Sequence, residues 1–230
     1  MKIFFILTLI LVIFSQNSLS QNSCLQELVI KSGLTEDNFI LYEKSLKDVP
    51  IQIKSGKPLT LNSTLSDRSV FLMGEIDNNK ANIISSLLLY LDAHKSDTIK
   101  LYINSPGGSV YSALGIYDIM EMISSPIKTI GYGICASSAA LILCSGTKCH
   151  RFAMPNCCIM IHKPSIGETS APASNNSIKE MNKLTREIYT ILSQKSGKNY
   201  HEIEKDCQID YWLTPQKAVE YGIIDHVIRQ

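Results

Sequence analysis

At 230 residues, 45% of them hydrophobic and 19% charged, the chain is long enough for one domain with a sizeable core. A formal net charge of +1 gives no electrostatic ground for a nucleic-acid partner or an anionic membrane surface. No long run of like charge and no internal repeat is present, which excludes charged tails and solenoid architectures.

The first twenty residues stand apart. Met1-Lys2 precedes an apolar run from Ile3 to Phe14, followed by polar residues and small ones at Ser18 and Ser20. This pattern predicts a signal peptide over 1–20, cleaved near Ser20–Gln21, and the run is too short to span a bilayer comfortably. The alternative is a retained anchor, but no stable membrane anchor is expected. Residues 21–66 are poorly patterned, broken by Gly33, Pro50, Gly56 and Pro58, and read as a leader or N-terminal arm.

From residue 67 onward the periodicity sharpens. Val70–Met73 predicts a buried strand ended by Gly74, and Asn78 to His94 carries Ile83, Ile84, Leu87, Leu88 and Leu91 at helix-face spacing. Ile99–Ile103 is a second strand, closed by Asn104-Ser105-Pro106-Gly107-Gly108. Val110 to Ile123 is again helical, and Pro126 opens a strand through Ile130. The stretch Thr129–Leu143 then reads as a strand end, a glycine turn and a helix of small and aliphatic residues. Phe152–Pro155 and Cys157–His162 predict two more strands, and Lys163 to Asn176 a loop or irregular strand. Ile178–Ser196 predicts a long helix stopped by Gly197, and Tyr200–Asp206 a short one. Asp210–Thr214 reads as a turn, Pro215–Tyr221 as a helix ended by Gly222, and Ile223–Ile228 as a last strand. Strands alternating with helices argue for a parallel α/β sheet with crossover helices.

Seven cysteines are an odd number, and four lie in apolar runs, where a free thiol packs as a small hydrophobe. Cys144, Cys149, His150, Cys157 and Cys158 lack paired metal-ligand spacing, and Cys157-Cys158 would point to opposite faces of a strand, so no metal is expected. Free thiols fit a reducing final compartment.

Three residues at element ends carry the chemistry. Ser137 opens a helix, where a plain cap is the ordinary role. His162 ends an apolar strand, and Asp210 lies in a loop. Together they are the parts of a hydrolytic nucleophile: a hydroxyl, a base titrating near neutrality, and a carboxylate that fixes its tautomer. Gly107 and Gly108 let backbone approach a substrate closely, and the Ser138 N–H lies at a helix start, so they are candidates for an oxyanion hole; a Pro-Gly-Gly can equally be a plain turn.

Ile103-Asn104-Ser105-Pro106-Gly107-Gly108 resembles the YINSPGG signature of the ClpP family, the proteolytic subunits of ATP-dependent Clp proteases. Gly133–Ser137 resembles its G-x-A-A-S nucleophile segment. Pro155-Asn156 with Met160-Ile161-His162-Lys163-Pro164 resembles its PN…MIHQP segment, and Asp206–Thr214 with Ala218–Asp225 its C-terminal signature. The resemblance runs from about Asp67 to the C-terminus. It implies a ClpP/crotonase-like α/β spiral of β-β-α units with a protruding helical handle, here Ile178–Ser196 and the preceding loop. It also implies Ser137 as nucleophile, His162 as general base, Asp210 as orienting carboxylate, and oxyanion N–H groups on Gly108 and Ser138. Partners so implied are homo- or hetero-heptameric rings stacked as a tetradecamer, an AAA+ Clp ATPase, and unfolded protein substrates. No cofactor is expected in this chain: ATP would be used by the unfoldase, in keeping with the lack of a G-x-x-x-x-G-K-[ST] segment.

The chain departs from the family pattern in places. Ser138-Ala139 replace the usual Met-Gly after the nucleophile, Pro172 lies in the handle loop, and Gln208-Ile209 replace an acidic–basic pair. These departures leave a catalytically weak or structural ring subunit as an alternative, and a crotonase-type acyl-CoA enzyme as a more distant one. A signal peptide on a ClpP-like chain points to a secondary plastid reached through the secretory route, with an ER, secreted or mitochondrial location as alternatives. The acidic residues in 24–50 are not what a transit peptide would carry.

Overall fold

The computed structural model describes residues 65–164 and 175–229. The signal peptide, nearly all of the arm and the loop over 165–174, Pro172 included, lie outside the described residues.

Strands β1 (Ser69–Met73), β2 (Ile99–Ser105) and β3 (Ile127–Ala136) pair in parallel, joined by helices α1 (Asn78–His94) and α2 (Val110–Met122). The sheet continues in parallel through β4 (Arg151–Ala153) to β7 (His226–Val227). A branch leaves the distal half of β3: β5 (Cys158–Ile161) pairs with it in parallel, and β6 (Tyr211–Leu213) pairs antiparallel with β5. Helices α3 (Ser138–Cys144), α4 (Asn175–Ser196), α5 (Tyr200–Asp206) and α6 (Pro215–Tyr221) complete the described elements.

The apolar stripe of α1 works as its spacing predicts, with Ile83, Ile84, Leu87, Leu88 and Leu91 all buried against the sheet. Side chains of this size each contribute about 1.5–3 kcal/mol on burial. Helix α3 is different, because every one of its residues is buried. That explains its lack of a polar face and places it at the centre of the core. Helix α4 is two-part: Asn175–Glu180 are exposed, whereas Leu184, Ile188, Ile191 and Leu192 are buried. Its first turns therefore stand off the body, as a handle would.

Three sequence expectations need correction. The glycine turn after Ile130 does not form; β3 runs on to Ala136. Between the pairs Ile103↔Gly131 and Ser105↔Cys135 the strand takes up extra residues in a bulge, with Gly133 at φ 62° and the Ile134 N–H bonded to Asn104 Oδ1 at 3.1 Å. A bulge absorbs the glycines without ending the strand. Asp210–Thr214 is not a simple turn either, since Tyr211–Leu213 form β6. The last strand is shorter than expected, because Ile223 and Ile224 bond back to the end of α6 through Ala218 C=O.

The thiols fit packing. Cys135, Cys144, Cys157 and Cys207 are buried, while Cys149 and Cys158 are exposed; Cys157 lies just before β5, which begins at Cys158. Burial pushes the Cys144 thiol up to about 11 and that of Cys207 up to about 12, which keeps both protonated and unreactive.

One buried charge ties the far half together. Arg151, at the start of β4, has a side chain only 5% exposed and forms a fork with Asp225, at 2.6 Å to Oδ1 and 3.0 Å to Oδ2. Its Nη1 also donates to the carbonyls of Cys144, Lys195 and Gly222, at the C-terminal ends of α3, α4 and α6. Carbonyls at helix ends lack intrahelical donors and carry the negative end of the dipole, so one guanidinium serves three of them. Burial alone would push the Asp225 carboxyl up, but the side-chain and backbone donors of Arg151 and its charge outweigh this and hold it below the usual value. Stability from the pair is therefore full above the ordinary carboxylate range and lost as pH falls below about 4. Arg151→Met is expected to destabilise the fold by about 3–5 kcal/mol, because it strands a buried carboxylate. Denaturant unfolding at pH 7 and pH 3.5 checks this; the wild-type advantage should shrink at the lower pH.

Candidate active site

The register of the β3–β5–β6 branch assembles the site. Cys135 pairs with Ile159 and Ala136 with Met160, so Ser137, just past the end of β3, lies beside the end of β5. Its N–H donates to Met160 C=O at 2.8 Å. In the antiparallel pair, Ile161 stands opposite Tyr211, and continuing that register by one residue sets His162 opposite Asp210. The three sequence-predicted residues meet at this corner.

His162 Nε2 lies 2.9 Å from Ser137 Oγ, and His162 Nδ1 lies 3.0 Å from Asp210 Oδ1. A carboxylate can only accept, so Nδ1 carries the proton and donates it. Nε2 is then left as an acceptor for the Ser137 hydroxyl. This is the tautomer a general base needs. The Asp210 side chain is 61% exposed, so its precision comes from strand register more than from burial.

Ser137 occupies the N-cap position of α3, yet its side chain makes no capping bond. The hydroxyl is turned to His162 instead, so the ordinary role of a plain cap does not hold for this side chain. The backbone is strained: Ser137 has φ 57° and ψ −126°, which costs a non-glycine residue about 1–3 kcal/mol. A sharp strand-to-helix turn of this kind exposes a hydroxyl at the top of a sheet.

The Pro106-Gly107-Gly108 turn is held from several sides. The Gly107 N–H donates to Ser105 Oγ at 3.0 Å, and Gly107 C=O accepts from the Ile76 N–H at 2.8 Å. The Ser109 N–H donates to Ile76 C=O at 2.8 Å. A trans peptide points its C=O and following N–H in opposite directions. With Gly107 C=O aimed at Ile76, the Gly108 N–H is directed away from it. Gly107, at φ 100°, packs on the serine turn itself: a Cβ there would lie 2.7 Å from Ala136 O and 2.8 Å from Ser137 Cβ. The Pro-Gly-Gly is thus built into the site and is not a free-standing turn. Beside Ser137 and His162 opens a small cleft walled by Val110, Leu141, Ile161, Pro164, Ile188 and Leu192.

The Clp protease family model matches residues 57–230. The chain is 40% identical over 219 residues to the ATP-dependent Clp protease proteolytic subunit of Bacteroides fragilis strain YCH46, covering 94% of this chain and 96% of that protein. It is 44% identical over 169 residues to the protein of the same name from Porphyromonas gingivalis, covering 72% and 76%, and 39% identical over 219 residues to that of Bacteroides thetaiotaomicron, covering 94% and 96%.

The chain belongs to the Clp protease family.

The family match begins inside the segment read as an arm, and Leu65 of that segment is already part of the core. Sequence reasoning missed Ser105 and Ile76, which orient the glycine turn, and Asn104, which supports the bulge. Asn104 and Ser105 lie within the family signature, so position was the available signal; Ile76 acts only through its backbone and leaves none.

Gly107→Ala is expected to destabilise the fold by more than about 1 kcal/mol, because the new methyl meets backbone at a positive φ. Gly115→Ala is the control: it lies on an open face of α2 with nothing within 4 Å, and should stabilise by up to about 1 kcal/mol. Thermal unfolding of both variants checks the opposite signs.

Proposed function

We propose that this chain is the proteolytic subunit of an ATP-dependent Clp protease, a serine endopeptidase that cleaves unfolded proteins to short peptides. The observation that carries the reading is the hydrogen-bonded chain Ser137–His162–Asp210 at 2.9 and 3.0 Å, at the end of a strained strand-to-helix turn. Ser137 Oγ attacks the scissile carbonyl while His162 Nε2 takes its proton and then passes it to the leaving amine. Asp210 holds the Nδ1 proton and stabilises the imidazolium. The N–H groups of Gly108 and Ser138 receive the developing oxyanion, and water then releases the acyl group from Ser137. The apolar cleft beside Ser137 accepts an apolar substrate side chain.

Seven copies form a ring, two rings enclose the sites, and an AAA+ unfoldase threads substrate inward at the expense of ATP. Family membership supports the assembly, and the projecting start of α4 supports a handle reaching toward a second ring. The apolar run at Ile3–Phe14 supports entry by a signal peptide, and the free thiols of the described residues support a reducing destination. A secondary plastid satisfies both.

Ser137→Ala should lower cleavage of a small fluorogenic peptide by on the order of 10⁴-fold or more and abolish fluorophosphonate labelling. Undiminished cleavage by that variant would remove the assignment. A ring by sedimentation that takes no label in the wild type would favour a structural subunit instead. For the address, residues 1–66 fused to a fluorescent protein should pass through the ER to a plastid; retention in the cytosol would sink it.

A further inference from the structure

Ser138 has a second polar group besides its N–H. It is 6% exposed, and its hydroxyl donates to Gly108 C=O at 3.3 Å, across a sequence separation of 30 residues. The turn at Gly107–Ser109 is fixed on one flank by the two backbone bonds of Ile76. On the flank facing α3, the Ser138 hydroxyl is the side-chain bond that holds it. The two residues joined by this bond are the same two whose N–H groups are read as oxyanion donors.

We propose that the Ser138 hydroxyl is a positioning residue that sets the spacing of the Gly108 and Ser138 N–H groups, a role separate from that of its own backbone donor. The inference rests on the hydrolytic reading above. Oxyanion donors act only when held about 2.7–3.1 Å from where the charge develops, so a slack turn weakens the transition state more than the ground state. Loss of the hydroxyl should therefore fall on kcat and leave KM nearly alone. Because the donor is displaced and not deleted, the loss is smaller than the 10²–10³-fold typical of removing one.

The test compares wild type with Ser138→Ala, Ser138→Thr and Ser138→Val in the full chain, using a fluorogenic peptide, fluorophosphonate labelling at Ser137 and thermal unfolding. Ser138→Ala and Ser138→Val should show kcat about 10-fold below that of Ser138→Thr, which keeps the hydroxyl, with KM within about 2-fold across the three variants. The Thr and Val pair are matched in shape, so their ratio carries the result even if Ser138→Ala folds poorly. Equal kcat in Thr and Val, or a loss confined to KM, overturns the inference while the labelled wild type upholds the hydrolytic reading. A wild type that neither cleaves nor labels overturns both.

Discussion

The structure depends on holding one non-glycine residue, Ser137, in a backbone conformation it does not favour. The chain turns from β3 directly into α3 at this one residue, at φ 57° and ψ −126°. The cost of about 1–3 kcal/mol is offset locally. Helix α3 is buried along its whole length, its first turn closes on Ser137 C=O through the Ala140 N–H at 3.0 Å, and the Ser137 N–H is taken by Met160 C=O. Gly107 fills the space on the other side, where any larger residue would push the turn apart. Strain at Ser137 is thus over-determined by packing and hydrogen bonds from the glycine turn after β2, from β5 and from α3.

Arg151 does the corresponding work away from the site. The C-terminal ends of α3, α4 and α6 converge on one guanidinium, and Asp225 balances its charge. This fixes the far end of α3, so that both ends of the helix that begins at Ser137 are pinned. It also fixes α4, whose Ile188 and Leu192 wall the cleft beside Ser137. A charge buried this way is costly alone and stabilising only when every donor has a partner.

Much of this was legible in the sequence, and the misses have physical reasons. Helices α1, α2 and α4 announce themselves because long amphipathic stripes repeat at the helical period. The extension of β3 does not, since Gly131 and Gly133 look like a turn until Asn104, nearly thirty residues earlier, is seen supporting a bulge. Strand β6 is only three residues long, and its exposed Trp212 disguises the alternation. Arg151 gives no local sign at all, because its partners lie at three separate helix ends. Ser137, His162 and Asp210 could be named from type and family motif, but their meeting depends on registers that no local pattern encodes.

Strand register also controls the histidine. A carboxylate 61% exposed to water attracts an imidazole only weakly, since solvent screens the interaction and competes for the same oxygen atoms. A 3.0 Å bond at such a site needs a positional cause beyond charge. The antiparallel pairing of β5 and β6 supplies it: with Ile159, Met160 and Ile161 locked opposite Leu213, Trp212 and Tyr211, the next residues on each chain are His162 and Asp210. A one-residue slip would turn Asp210 to the other face and leave the imidazole without its tautomer-fixing partner. The short strand that the sequence disguises as a turn is therefore what converts a solvated aspartate into the third member of the site.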